Sequence, residues 1–373
     1  MSNLGQIGFT EEQIDMLNVA ESFCREKSPM EKVRGLMTDD LGYDPDIWAE
    51  IGALGWLAIA IPEEYGGVGL SMTEVVPVAE QMGRRMMNSP FFATTLAAQA
   101  ILAGGDEDDK SSILPKIVKG AAATVALYER NGDWDLTNIS ATAKFDKTGY
   151  RLSGTKIFVA DLISAQWVVI SALMDEQVTL FVVPRSEIPD SAIRRETLID
   201  ETKRSYEFCL DGILINEDCI MEEAYSLKAL DHIHLVANLL GAAELTGGAQ
   251  SCIDYTVEYL GTRKQFGKLI GSFQALKHPT VDAFVDYQKA RSLLYTAAYS
   301  FDRQGEGEIA TRMAKAKADQ AMSFAADRSI QFHGGFGFTY DCDAQLYRRR
   351  AIFHASQYGD AQYHRAKLAD LLL

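Results

Sequence analysis

The sequence has 373 residues, of which 47% are hydrophobic and 24% are charged, a composition typical of a globular protein with two or three domains. The formal net charge of −16 argues against proteins that bind nucleic-acid backbones or anionic membranes, because both tasks depend on clustered Lys and Arg. The sequence has neither a run of about 18 apolar residues nor a signal-peptide pattern, so we expect a cytoplasmic protein without membrane insertion.

The cysteines are five in number and scattered, without a C-x-x-C pair or a histidine at zinc-site spacing. We therefore expect buried thiols in a reducing compartment and no metal site. The cysteines are Cys24, Cys209, Cys219, Cys252 and Cys342.

The first 120 residues are predicted to form an N-terminal helical domain. Thr10 and Gln13 have the spacing of a capping box at a helix start. Asp44 before Pro45 predicts a second helix start, since Asp caps and Pro suits the first helical position. After the glycine-rich segment 62–69, a helical pattern runs from Met72 to about Ala103.

Residues 121–223 are predicted to form a middle β-sandwich or barrel, because short β-rich runs alternate there with turn residues. A hairpin turn is expected at 146–149. The predicted strands are 124–127, 150–152, 167–171, 178–183 and 206–210.

From residue 224 to residue 373 the helical period returns in long segments joined by brief loops, which indicates a helical bundle. The fold class expected for the whole chain is therefore α+β. The predicted helices are 226–262, 273–303, 306–332, 341–357 and 360 to the end.

Two motifs in this bundle carry the most specific signal. Residues 263–267 are RKQFG, followed by Phe273-Gln274 and His278, and residues 331–337 are QFHGGFG. With PEEYGGVG at 62–69 and SGTK at 153–156, the chain resembles the acyl-CoA dehydrogenase family along nearly its whole length. The resemblance implies a four-helix C-terminal bundle, FAD as the cofactor and an acyl-CoA substrate.

The resemblance also implies which residues of the C-terminal half bind FAD. Arg263 suits the pyrophosphate, because a guanidinium forms paired hydrogen bonds to phosphate oxygens. Gln274 matches the family glutamine that binds the adenosine side of FAD. The glycine bend, residues 331–337, matches the segment that contacts the FAD of a neighbouring subunit. The implied set is Arg263, Gln265, Phe266, Phe273, Gln274, Gln331, Gly334, Gly335 and Gly337.

The middle domain departs from the family pattern. The flavin loop T-E-P-x-x-G-S-D is replaced by YERNGDWD at 128–135, and W-I-T is replaced by FVA at 158–160. Backbone N–H groups can stand in for the lost hydroxyl. The flavin contacts implied here are Leu127, Glu129, Phe158 and Ala160.

The family's catalytic base is also missing. Tyr358 occupies the usual glutamate position, and Ala237 occupies the position used by a minority of relatives. Asp360 is the first substitute, although an Asp after Gly at a helix start is also a favoured N-cap. Glu244 is the second candidate, and Asp231 ranks below it.

Three functions follow from the resemblance. The first is an acyl-CoA dehydrogenase that passes electrons to an electron-transfer flavoprotein. The second is a half-site subunit that lacks its own base and completes the FAD site of a paired homologous subunit. The third is an acyl-CoA oxidase. Self-association or pairing with a homologous subunit is expected in each case.

Overall fold

The computed structural model describes residues 10–373, apart from the side chains of residues 11 and 12. Within this range the chain divides into two units, one of residues 10–34, 72–87 and 238–373 and the other of residues 35–71 and 88–237. The first nine residues of the predicted N-terminal domain lie outside the described residues. The three-domain division at 120 and 223 stays a prediction.

Helices dominate both ends of the described chain, as the sequence predicts. None of the helices within residues 10–373 is long and apolar enough to cross a membrane. The helices are α1 (Glu11–Lys27), α2 (Met30–Leu36), α3 (Pro45–Ala53), α4 (Met72–Arg84), α5 (Phe91–Gly104), α6 (Glu107–Val118), α7 (Ser226–Thr262), α8 (Gln274–Ser300), α9 (Glu306–His333), α10 (Ala344–Ala355) and α11 (Ala361–Leu372).

The predicted helix starts are confirmed. Thr10 Oγ1 accepts from the Gln13 amide at 3.2 Å, and Gln13 Oε1 accepts from the Thr10 amide at 3.1 Å. Asp44 caps α3 by accepting from the Asp46 amide at 2.9 Å, with Pro45 as the first helical residue. Helix α6 lies where no element was predicted, because its polar first half and internal Pro115 obscure the helical period.

The second unit contains the β-structure. Its strands form a six-stranded mixed sheet (β1, β2, β3, β5, β6, β9) and a three-stranded sheet in the order β4-β8-β7. The strands are β1 (Ala123–Ala126), β2 (Thr142–Phe145), β3 (Tyr150–Ser153), β4 (Thr155–Ala160), β5 (Trp167–Met174), β6 (Gln177–Pro184), β7 (Ile193–Arg195), β8 (Ser205–Cys209) and β9 (Leu214–Ile215).

Strand β5 is the centre of the larger sheet. It pairs in parallel with β1 and β2 and antiparallel with β6, and most of its residues are buried. This explains its near-continuous apolar sequence, since a strand covered on both faces does not alternate. The predicted hairpin turn at 146–149 joins β2 and β3, which pair antiparallel, and the α+β fold is confirmed.

The first unit is a helical bundle around α8 and α9. Small residues recur at helical spacing on both helices, including the fully buried Ala290, Ala314, Ala318 and Ala321. Small side chains let two helix backbones approach closely. Helices α10 and α11 pack on α9, and a two-stranded hairpin of β10 (Lys264–Gln265) and β11 (Lys268–Leu269) follows α7.

Candidate active site

The hairpin after α7 presents the first predicted cofactor residues. Its two loop residues, Phe266 and Gly267, both have positive φ, at 54° and 73°. Tight two-residue turns need such angles, but a bulky residue in this conformation is uncommon. The Phe266 ring is 91% exposed and meets the edge of the Phe273 ring with centroids 6.3 Å apart. The hairpin therefore holds an aromatic ring out in solvent.

Polar groups around this hairpin are left available for a ligand. Arg263 and Gln265 are exposed, and so is Gln274 at the first turn of α8. Among residues 10–373, the side chains of Arg263, Gln274 and Gln331 form no hydrogen bond or ion pair. A cation and amides that the protein itself does not use suit recognition of a phosphate and a sugar or base.

The glycine segment closes α9 with a bend that only glycine allows. Gly334 has φ 64° and ψ −139°, and a Cβ on Gly337 would lie 2.2 Å from the Ile330 carbonyl oxygen. His333 fixes the start of the bend, because its ring stacks on Tyr255 and Tyr259 with centroids 4.7 and 4.1 Å away. Gly334 and Gly335 are exposed, so their backbone is open to a ligand.

These groups of the first unit fit FAD. The cofactor carries a pyrophosphate and an adenosine, which need cationic, amide and backbone donors. Arg263, the amides of Gln274 and Gln331, and the backbone of Gly334 and Gly335 supply all three kinds from exposed positions. The donor set thus has the chemistry that the sequence resemblance implies.

In the second unit, Glu129 does not point to a ligand but holds its own loop. Its carboxylate accepts from Lys156 Nζ at 2.8 Å, from the Ala141 amide at 3.0 Å and from the Ser140 amide at 2.8 Å. Lys156 is fully buried and also donates to Ser171 Oγ at 3.0 Å. Burial lowers the pKa of Lys156 to about 8, while Glu129 opposes that change.

Leu127 is equally internal, and its carbonyl oxygen lies 3.4 Å from Lys156 Nζ. Leu127 and Glu129 can therefore meet a cofactor only through backbone atoms. Lys156, which belongs to the SGTK motif, is the residue that sequence reasoning missed. No local signal in the sequence indicates this role, because Lys156 lies outside the predicted strands and its partner Glu129 is 27 residues away.

Phe158 lies at a β-bulge between Lys156 and Val159, with φ 53°. Its amide donates to Glu196 Oε2 at 3.1 Å, and its half-buried ring meets the Tyr128 ring edge-on at 6.4 Å. An antiparallel bridge between Tyr128 and Ile157 connects the altered loop 128–135 to the residue just before Phe158. Ala160 ends β4, and its carbonyl oxygen accepts from Thr124 Oγ1 at 2.6 Å.

Asp360 is the N-cap of α11. Its Oδ1 accepts from the Tyr363 amide at 2.7 Å, and the residue is partly exposed. The cap predicted from sequence is therefore present, and it leaves the second carboxylate oxygen open for other chemistry.

Glu244 is buried and accepts from His354 Nε2 at 3.0 Å and Arg350 Nη1 at 3.4 Å. Protonating a carboxylate that balances a buried guanidinium would leave the cation uncompensated. Glu244 therefore suits structural charge balance better than proton abstraction. The sequence does not predict that Arg350 and His354 pair with Glu244, since this contact arises only from helix packing.

The two positions where the family places its base carry no carboxylate. Tyr358 is buried with φ 56°, and burial raises the pKa of its hydroxyl further above its usual range. Ala237 is buried in α7, and Asp231 is exposed on the same helix. Of Asp360 and Glu244, Asp360 is the one with a carboxylate oxygen that makes no hydrogen bond within residues 10–373.

Two family models and several known proteins match this chain. Residues 237–373 match the family model "Acyl-CoA dehydrogenase, C-terminal domain", and residues 10–121 match "Acyl-CoA dehydrogenase, N-terminal domain". The chain is 31% identical over 326 residues to acyl-CoA dehydrogenase IpdE2 of Mycobacterium tuberculosis (strain ATCC 25618 / H37Rv), covering 86% of this chain and 84% of that protein.

A second known protein and a solved structure are also similar to this chain over most of its length. Acyl-CoA dehydrogenase FadE12 of the same M. tuberculosis strain is 30% identical over 311 residues, covering 79% of each chain. A solved structure, of a variant of the "Tcur3481-Tcur3483 steroid ACAD", superposes with a TM-score of 0.85 at 27% identity, covering 97% of this chain and 98% of that chain.

Proposed function

The chain belongs to the acyl-CoA dehydrogenase family, and from that premise we propose that it dehydrogenates an acyl-CoA thioester between the α- and β-carbons and passes the electrons to an electron-transfer flavoprotein. Family membership makes the chain an oxidoreductase and implies FAD as its cofactor. One observation supports the proposal most. The side chains of Arg263, Gln274 and Gln331 are exposed and form no hydrogen bond or ion pair within residues 10–373, and the same unit holds the glycine bend.

We propose specific roles for the cofactor-binding residues. Arg263 binds the pyrophosphate, Gln274 binds the adenosine side, and the backbone of Gly334 and Gly335 contacts the cofactor of a neighbouring subunit. Phe158 and the backbone of the 127–129 segment face the flavin ring. When bound, FAD accepts the hydride from the substrate β-carbon.

Asp360 is proposed as the base that removes the α-proton. Proton abstraction from a thioester α-carbon needs a carboxylate shielded enough to have appreciable basicity. Asp360 follows the buried Tyr358-Gly359 pair and keeps one oxygen clear of its capping bond. Its position two residues after the lost family glutamate supports the assignment.

We propose a bulky acyl group as the substrate class. One relative of solved structure, at 27% identity, is described as a steroid ACAD. A steroid-derived thioester therefore belongs beside straight-chain thioesters in a substrate panel.

A half-site subunit is the second candidate, and a specific observation favours it. The two positions where the family places its base hold Tyr358 and Ala237, and Glu244 is engaged in buried ion pairs. In this case Arg263 and the glycine bend would serve a FAD site whose base belongs to a paired homologous subunit.

Anaerobic addition of acyl-CoA to the purified chain tests the function. A yellow protein with about one FAD per chain, bleached by straight-chain or steroid-derived acyl-CoA and re-oxidised by electron-transfer flavoprotein, is the expected result. A colourless protein that gains FAD and activity only with a homologous subunit would replace the first candidate by the second. Rapid re-oxidation by air with peroxide release would indicate an oxidase.

A further inference from the structure

Lys315 on α9 is fully buried, yet its ammonium group is surrounded by backbone oxygens of the C-terminal tail. Its Nζ lies 3.0 Å from the carbonyl oxygen of His354, 3.4 Å from that of Gln357 and 2.9 Å from that of Gly359. An ammonium group has three N–H donors, and here one faces the last turn of α10 while two face the short segment between α10 and α11.

One of these carbonyl groups, that of His354, lies in the last turn of α10, where its oxygen also accepts from the Gln357 amide at 3.2 Å. The last carbonyls of a helix have no partner within the helix, and a cation is favourable at that end of the helix dipole. The following Tyr358 and Gly359 both have positive φ, at 56° and 102°, so the chain makes a sharp turn that an unrestrained segment would not keep. Lys315 restrains this turn by donating hydrogen bonds to the carbonyl oxygens of Gln357 and Gly359.

The charge of Lys315 is balanced from both sides of the turn. Burial lowers the pKa of Lys315 to about 8. Asp319, one turn further along α9, and Asp360, at the start of α11, oppose this change because both favour the charged form of Lys315. Asp319 Oδ2 also accepts from the Ala361 amide at 3.3 Å. Glu244 on α7 engages the ring of His354, whose carbonyl oxygen Lys315 binds.

We propose that Lys315 is a positioning residue for catalysis, which fixes the turn 357–360 so that the carboxylate of Asp360 stands ready for the substrate α-proton. This inference rests on the proposed function, because it takes Asp360 as the base. Lys315 does not touch substrate or cofactor in this role. It acts through the backbone on either side of Tyr358.

We call the three hydrogen bonds from Lys315 to the carbonyl oxygens of residues 354, 357 and 359 the clamp. The substitution Lys315→Met tests it, because methionine has a similar length and removes all three donors. We expect the backbone amides of residues 355–361 to exchange with deuterium about tenfold faster or more. We also expect kcat to fall about 10- to 100-fold with little change in KM or FAD content, since a displaced base costs turnover rather than binding.

Lys317→Met is the matched control. Lys317 lies two residues away on the same helix and pairs with Asp286 on α8 at 2.6 Å, away from the tail. It should leave tail exchange and kcat unchanged. If Lys315→Met fails to fold, Lys315→Gln, which keeps two donors without the charge, is measured in the same way.

A double substitution separates positioning from a merely structural role. Because Lys315 acts through Asp360, adding Lys315→Met to Asp360→Asn should lower kcat hardly further. If a folded Lys315 variant shows unchanged deuterium exchange in residues 355–361, the clamp is overturned. If the effects of the two substitutions on kcat multiply in the double variant, the link between Lys315 and Asp360 is overturned. If the wild-type chain shows no dehydrogenation, the proposed function and the positioning role fail together, while the exchange data still decide the clamp.

Discussion

At the scale of single residues, Asp360 combines a cap with a proposed base. The capping role follows from its bond to the Tyr363 amide, and the sequence predicts it because Asp after Gly at a helix start satisfies free N–H groups. The catalytic role depends on where a substrate lies, which no local pattern encodes.

Asp360→Asn separates these two roles. Asn caps nearly as well as Asp but accepts no proton, so we expect turnover to fall about 10²- to 10⁴-fold while the melting temperature and FAD content stay the same. Steady-state kinetics with purified protein provide the measurement. Turnover equal to that of the wild type would exclude Asp360 as the base.

Glu129 and Lys156 form a buried pair that holds the altered flavin loop. Glu129→Gln leaves the buried ammonium without its counter-charge, so we expect the free energy of unfolding to fall by about 3 kcal/mol and FAD content to fall with it. Urea denaturation and the flavin absorbance of the purified protein measure both effects.

Glu207→Gln is the control for this prediction, because Glu207 pairs with the exposed Arg130 and Arg194. Such pairs contribute about 1 kcal/mol or less, so little should change. Equal losses in the two variants would show that the buried pair has no special role in the loop.

At the scale of elements, the helices of the C-terminal half were predictable almost to the residue, because long amphipathic periods and glycine or aspartate boundaries are local signals. Helix α6 was not predicted, because Pro115 lies inside it, and strand β4 was not, because the bulge at Phe158 interrupts its period. Strands β2, β7 and β9 were also missed, since each has only two to four residues. The contacts of Lys156 and Lys315 were equally hidden, because each joins segments far apart in sequence.

Helix α6 gives a pH-dependent prediction. Burial and the neighbouring Asp106 raise the pKa of Asp109 to about 6. The folded chain then binds a proton more tightly than the unfolded chain, so Asp109 lowers stability progressively as pH rises from about 4 to about 6, and the full cost remains above that range.

Asp109→Asn removes this loss of stability. The asparagine side-chain oxygen can still accept the capping hydrogen bond from the Asp106 amide. We expect the free energy of unfolding to increase by about 1–3 kcal/mol at pH 7.5, with a much smaller gain at pH 4. Urea denaturation at both pH values measures this, with the exposed Asp108→Asn as the control. An equal effect at the two pH values would contradict the assignment.

At the scale of the whole molecule, Phe266 and Phe338 are 91% and 84% exposed on the first unit. Large aromatic rings held in solvent mark surfaces that another chain covers. This supports the predicted self-association or pairing with a homologous subunit. The exposed Arg263 would then be buried with its ligand only in the assembled protein.

Phe266→Asn tests the assembly. Asn tolerates the positive φ of this position, so the hairpin should persist, while loss of the ring should weaken association about 30-fold or more and release FAD. Sedimentation velocity over a concentration series gives the measurement. Phe145→Asn, at a 62% exposed phenylalanine on β2, is the control and should leave assembly intact.

The proposed function requires that this chain remove two hydrogens from an acyl-CoA by means of its own bound FAD. A single anaerobic turnover, with enoyl-CoA and reduced flavin quantified in the same sample, tests it most directly. We expect one enoyl-CoA for each FAD reduced, and almost none with Asp360→Asn. Stoichiometric FAD that no acyl-CoA of the panel reduces would contradict it.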